Sequence, residues 1–200
     1  MYRVVLTLSG LFLAASASAV QFLVNSPATY LRAVGESPFN ANAIDLNANG
    51  FFAGQTVFVS RAGSWNHLGG GTPTDYGLSA VFSTSNVLLP TPLLNRVPGA
   101  IATGAPAWVS PNTFVGNVNT DISEDFQVDN QTGTANGITL VIPTGALFLF
   151  ATAQDNFFQD NNNTTEFYIS LQPVPEPASL LAIGVGLVAV ARRRSAKGQS

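Results

Sequence analysis

The chain has 200 residues, with 8 Lys and Arg against 11 Asp and Glu, a single His and no Cys. That length holds one domain, two at most, and the lack of Cys excludes disulfides, thiol catalysis, Cys-ligated zinc and lipoprotein-type lipidation. Between residues 20 and 172 only Arg32, Arg61 and Arg96 face ten acids, a net charge of −7, which excludes nucleic acid as a partner and disfavours anionic membrane surfaces.

The chain opens on an address. Met1-Tyr2-Arg3 supplies a positive charge, residues 4–14 are almost unbroken apolar sequence, and Ala17-Ser18-Ala19 is the small-x-small pattern that signal peptidase accepts. Residues 1–19 therefore predict a signal peptide in helical form, cleaved between Ala19 and Val20. A short buried helix is the alternative the same residues allow.

The next 150 residues carry short β-branched or aromatic runs bounded by Gly, Pro, Asn or Thr, and no sustained helical period. In chain order they predict strands over 21–24, 55–60, 78–83, 113–118, 137–142, 146–153 and 167–171. Residues 88–111, with five prolines, read as a long connection. Two apolar runs, 138–142 and 146–150, flank Pro143-Thr144-Gly145 and read as a central hairpin buried on both faces. The expected fold is all-β: a jelly-roll-like β-sandwich ectodomain over 20–172, flanked by an N-terminal signal helix and a C-terminal membrane helix.

Two Asx-rich stretches offer hard oxygen donors. Asp45-Leu46-Asn47-Ala48-Asn49-Gly50 matches the opening half of a calcium loop, but Thr56 holds the twelfth position, where a bidentate carboxylate belongs. The run Asp155-Asn156-Phe157-Phe158-Gln159-Asp160-Asn161-Asn162-Asn163 places acids and amides on one turn, with two aromatics able to wall a sugar site. A polar turn without metal is the competing reading. His67, beside Gly69-Gly70-Gly71, reads as a general base, a metal ligand or an exposed loop residue. No nucleophile elbow, zinc-binding helix or P-loop is present, and Glu124 and Asp125, adjacent in sequence, are expected on opposite faces of a strand. The ectodomain is therefore expected not to be an enzyme.

The chain closes on a second address. Pro175-Glu176-Pro177 precedes residues 178–191, which lack any charge, and then Arg192-Arg193-Arg194. A helix over those 14 residues is about 21 Å long against a hydrocarbon core of about 30 Å, and the basic triplet marks its cytoplasmic side. This tripartite pattern resembles the PEP-CTERM sorting signal. The resemblance implies exosortase as a partner, cutting near Pro-Glu-Pro and releasing or re-anchoring the protein, so that residues 173–200 form the sorting unit. A permanent C-terminal anchor is the alternative. The implied route runs from export through a membrane-anchored intermediate to the cell surface or extracellular space.

The Asp155 region is similar to the PA-IL-like calcium-dependent galactose-binding lectins, a small jelly-roll family. That family has an Asp, two adjacent Asn seven and eight residues later and a Phe at twelve, matched here by Asp155, Asn162, Asn163 and Phe167. Its Gly-x-x-x-x-Val then Ala-Gly-x-x-Trp stretch is echoed between Gly50 and Trp65 by Gly54-Gln55-Thr56-Val57-Phe58-Val59 and then Ala62-Gly63-Ser64-Trp65, one residue shorter. The resemblance implies a calcium ion held by Asp155, Asn162 and Asn163 and by the carbonyls of Gln159 and Leu68, with Asp75 a substitute in the sugar-contacting loop. Thr165-Glu166 stands where that family has a Gly. Three functions follow in order of preference: a surface or matrix protein binding calcium and extracellular polysaccharide, a purely structural matrix component, and a secreted hydrolase using His67.

Overall fold

The computed structural model describes residues 18–31, 39–69, 74–88, 105–132, 137–162 and 166–175. The expected signal helix, the membrane helix over 178–191, Ala17, Glu176, Pro177 and Arg192 to Arg194 lie outside them. The described residues are all-β, with eight strands in two antiparallel sheets: β1 (Val20–Leu23), β2 (Ile44–Asp45), β3 (Thr56–Gly63), β4 (Leu78–Ser83), β5 (Phe126–Asp129), β6 (Gly137–Val141), β7 (Phe148–Ala153) and β8 (Phe167–Pro173). The first sheet runs β1-β8-β3-β6 and the second β2-β7-β4-β5.

The strands follow from period-2 alternation. Val57 and Val59 of β3 and Phe167, Ile169 and Leu171 of β8 turn inward. They meet Leu78, Ala80 and Phe82 of β4 and Leu149, Ala151 and Ala153 of β7 in one apolar core. Strands β4 and β7 are buried on both faces, because Tyr30, Leu31, Ala41, Leu88, Trp108, Ile122 and Phe158 form a second core against Val81 and Phe150.

Two sequence expectations are corrected, and two strands are added. The two apolar runs around Pro143-Thr144-Gly145 are not a hairpin: β6 pairs with β3, whereas β7 pairs with β4 and β2. Only alternate residues of this first run, Leu140 and Ile142, are buried, as suits an edge strand. The Pro-Thr-Gly turn, closed by Ala146 N–H donating to the Pro143 carbonyl at 3.1 Å, carries the chain from one sheet to the other. Residues 113–118 form a closed loop instead of a strand. Thr113 N–H donates to the Val118 carbonyl at 2.8 Å and Val118 N–H to Thr113 Oγ1 at 2.8 Å, leaving Phe114 and Val115 exposed. Strands β2 and β5 were not expected, since each is short and ends on an acid.

Among the described residues, one buried ion pair joins the sheets. Arg61 Nε of β3 lies 2.6 Å from Asp129 Oδ2 of β5, with the guanidinium 4.8 Å from the Tyr76 ring centroid and also donating to the Gly63 carbonyl. Gly63 sits at φ +76° with the Glu166 carbonyl packed where a Cβ would stand, so only glycine fits.

Register also fixes the two ends of the fold. Val20 lies opposite Leu171, and Val57 opposite Pro173, so the first and last strands enter and leave at the same end. Loops 64–69, 74–77 and 154–162 sit at the other end, beyond Gly63, Leu78 and Ala153.

Candidate functional site

After β7 the chain turns through residues 154–162, including one 3₁₀ turn at Phe158–Asp160. Phe158 pins this turn by inserting into the second core. It is therefore not the sugar-facing aromatic expected from the sequence. Phe157 stays at the surface, 5.6 Å from the Phe114 ring. Asn161 Nδ2 donates to the Ser26 carbonyl at 3.1 Å.

The turn is sewn to the loop that follows β3. Asn162 and Asn66 exchange backbone hydrogen bonds at 2.9 and 3.2 Å, and Asn162 Nδ2 donates to the Gly69 carbonyl at 3.3 Å. Leu68 N–H donates to Asn66 Oδ1 at 2.9 Å. A Cβ on Gly69 would stand 3.2 Å from the Asp160 carbonyl, which measures how closely the two backbones approach. The turn carrying Asp155, Asp160 and Asn162 is thus brought against the Leu68 loop, which is distant in sequence. Gln159 lies exposed on the 3₁₀ turn, and Asn163 lies outside the described residues.

The polar atoms of this turn are under-satisfied. Asp155 Oδ1 accepts the Asn156 N–H at 2.6 Å, but Asp155 Oδ2, Asp160 Oδ1 and Asn161 Oδ1 are buried with no hydrogen-bond partner. Burial pushes the Asp155 carboxyl above its ordinary value, opposed by the Asn156 and Phe157 N–H groups and the Asn161 side-chain amide, and aided by the Asp160 charge. Buried acceptors without donors cost free energy unless something positive meets them. No three Asp, Glu or His side chains among the described residues form a metal-ligand group. A cation here would therefore draw on two carboxylates plus amide and carbonyl oxygens, a mixed hard set that calcium accepts.

His67 Nδ1 lies 2.8 Å from Asp75 Oδ2, and the same oxygen accepts the His67 N–H at 3.1 Å. The ring hydrogen bond to Asp75 is the chief reason the imidazole is raised above its ordinary value, with partial burial opposing it and the Asp75, Asp155 and Asp160 charges adding to it. Asp75 is held by backbone pairing with Trp65. Its carboxylate bonds loop 65–68 at both the backbone and the ring of His67.

The half calcium loop is accounted for by turn chemistry. Asp45 Oδ1 accepts the Ala48 N–H at 2.9 Å, and Asn49 Nδ2 donates to the Asp45 carbonyl at 2.7 Å. These bonds brace the short 3₁₀ turn at Asn47–Asn49.

A second polar cluster was not legible beforehand. Tyr30 OH donates to Ser79 Oγ at 2.9 Å and approaches Asp125 Oδ2 at 3.3 Å. Burial, with the nearby Asp121 and Glu124 charges, pushes the Asp125 carboxyl up to about 8. Glu124 and Asp125 lie in the turn ahead of β5, and both bury an unpartnered carboxyl oxygen, instead of facing opposite sides of a strand. Nothing in their sequence context separates them from solvent-facing acids.

At the C-terminal end Val174 N–H donates to the Thr56 carbonyl at 2.9 Å, and Pro175 is exposed. The PEP-CTERM protein-sorting motif matches residues 173–195, beginning on the last residue of β8. No curated protein and no solved structure matches the chain, so the lectin resemblance rests on the residues quoted for it. No helix among the described residues is long and apolar enough to cross a membrane.

Proposed function

We propose that this is an exported, exosortase-sorted surface or matrix protein whose ectodomain binds calcium at the Asp155 turn and, through it, extracellular carbohydrate. The sorting motif supports the export and exosortase part. The strand order β1-β8-β3-β6 in one antiparallel sheet and β2-β7-β4-β5 in the other supports the jelly-roll reading, an architecture used by lectins. The observation that carries the calcium reading is the pair of buried, unpartnered carboxylate oxygens, Asp155 Oδ2 and Asp160 Oδ1, beside the Leu68 loop. Asp155, Asp160 and Asn162 would supply side-chain oxygens, and Leu68 and Gln159 carbonyls. Asn163 follows directly in the chain as a further donor. Calcium would neutralise the two acids and offer open coordination positions to sugar hydroxyls.

The ectodomain is read as a binding module and not an enzyme. His67 and Asp75 do form a base-like pair, but that Asp75 oxygen also holds the loop backbone.

Thermal unfolding with and without calcium tests the reading. At calcium a hundredfold above its dissociation constant the fold should gain about 2.7 kcal/mol, and Asp155→Asn with Asn162→Ala should abolish the gain. An unchanged melting temperature in both proteins would leave the purely structural matrix role.

A further inference from the structure

We infer that the end of the fold carrying Val20 and Pro173 is a docking face for the outer surface of the lipid bilayer, held against it until the tail is processed. The inference rests on reading residues 178–191 as a membrane-inserted segment. It concerns the orientation of the ectodomain, which that reading leaves open.

The tether is short. Strand β8 ends at Pro173, Val174 is fastened to Thr56, and only residues 174–177 separate the strand from the apolar segment. Four extended residues span at most about 14 Å. The fold is therefore confined close to the bilayer, and the end that carries Pro173 must face it. The N-terminal side agrees, since Val20, the expected first residue after the signal peptide, lies opposite Leu171 at this same end.

The residues at this end suit an apolar boundary. Phe52 is 55% exposed, Val87 65%, Val141 49% and Leu147 42%. They are gathered by backbone bonds: Gly54 N–H to the Ile142 carbonyl, Leu46 N–H to the Leu147 carbonyl, and Leu147 N–H to the Ser83 carbonyl. Side chains this apolar and exposed gain by entering the interfacial region of a bilayer. Among the described residues of these loops (45–56, 83–88 and 141–147), Asp45 carries the one charge. The carboxylates of Asp75, Asp129, Asp155, Asp160 and Glu166 lie at the opposite end, about 25 Å away over the eight residues of β3. A chain of net negative charge thus meets anionic headgroups with its least charged surface, and the Asp155 turn points away from the membrane.

Exposed apolar residues also occur singly at the opposite end, at Leu23 and Leu68, and as a group on loop 109–118. That loop packs beside the Asp155 turn, where Phe114 N–H donates to the Asn156 carbonyl, and no tether directs it to the bilayer.

The test uses the natural absence of Cys. Single variants Phe52→Cys, Leu147→Cys, Leu68→Cys and Phe114→Cys of the full chain are labelled with a polarity-sensitive fluorophore and reconstituted in phosphatidylethanolamine–phosphatidylglycerol vesicles. All four positions are exposed, so the labels leave the core intact. Labels at positions 52 and 147 should be quenched by brominated acyl chains and shielded from aqueous iodide at least threefold relative to 68 and 114. Equal iodide access at all four positions, in a chain that floats with the vesicles, would overturn the docking face while leaving the anchor in place. A chain that fails to float with the vesicles would remove the anchor, and the docking face with it.

Discussion

Asp125→Asn should stabilise the protein, and by more as pH rises. Asp125 is only 1% exposed. One carboxyl oxygen has no partner and the other meets the Tyr30 hydroxyl at 3.3 Å; burial and the Asp121 and Glu124 charges outweigh the lowering effect of the Tyr30 and Ser110 hydroxyls. Its folded pKa, about 8 against an ordinary 3.8, means that the native state keeps the proton while the unfolded chain releases it. Between pH 4 and 8 the native state therefore binds more protons, so stability falls with rising pH and levels off above 8. At about 1.36 kcal/mol per unit, a shift of this size costs on the order of 5 kcal/mol at pH 9, an upper bound because water penetration relaxes buried charges. Asparagine keeps the shape and cannot ionise. Urea unfolding of the mature protein at pH 5 and pH 9 should show the parent losing several kcal/mol across that range and the variant losing markedly less. Identical pH slopes would refute the claim that Asp125 is protonated in the fold.

Two further substitutions test the packing. Asp129→Ala leaves the Arg61 guanidinium buried without its carboxylate and should cost about 3–5 kcal/mol in urea unfolding, whereas joint replacement of Arg61 and Asp129 by Met and Leu should be far milder. Gly63→Ala forces a side chain into left-handed backbone and onto the Glu166 carbonyl. It should lower stability by more than about 2 kcal/mol, read as a drop in melting temperature.

Six of the seven strands expected from the sequence occur near their expected places, because β-branched and aromatic runs between turn residues report local preference directly. Their partners were not legible. Residues 138–150 look like a hairpin locally, yet Pro143-Thr144-Gly145 bridges two sheets, and only the alternation at Thr139, Leu140 and Val141 hints that β6 is an edge. Residues 113–118 have strand composition but no neighbouring strand to complete them. Conversely, Phe126–Asp129 forms a strand because β4 offers a free edge, a tertiary fact absent from four residues that follow Glu124 and Asp125 and end on an acid. At the candidate site the spacing of Asp155 and Asn162 was visible. The approach of Leu68 through the Asn66–Asn162 pairing, and the burial that leaves the Asp155 and Asp160 oxygens without donors, emerged only with the fold. The role of Phe158 inverted for the same reason, since the second core on the outer face of β4 and β7 has no sequence signature.

Sorting through the tail is the claim on which the cellular part of the account depends. Mass spectrometry of the mature protein from its own host, with and without the sorting protease, tests it most directly. A C-terminus close to Pro175 only when the protease is present is the predicted result. An intact tail carrying Arg192, Arg193 and Arg194 in both strains would contradict it.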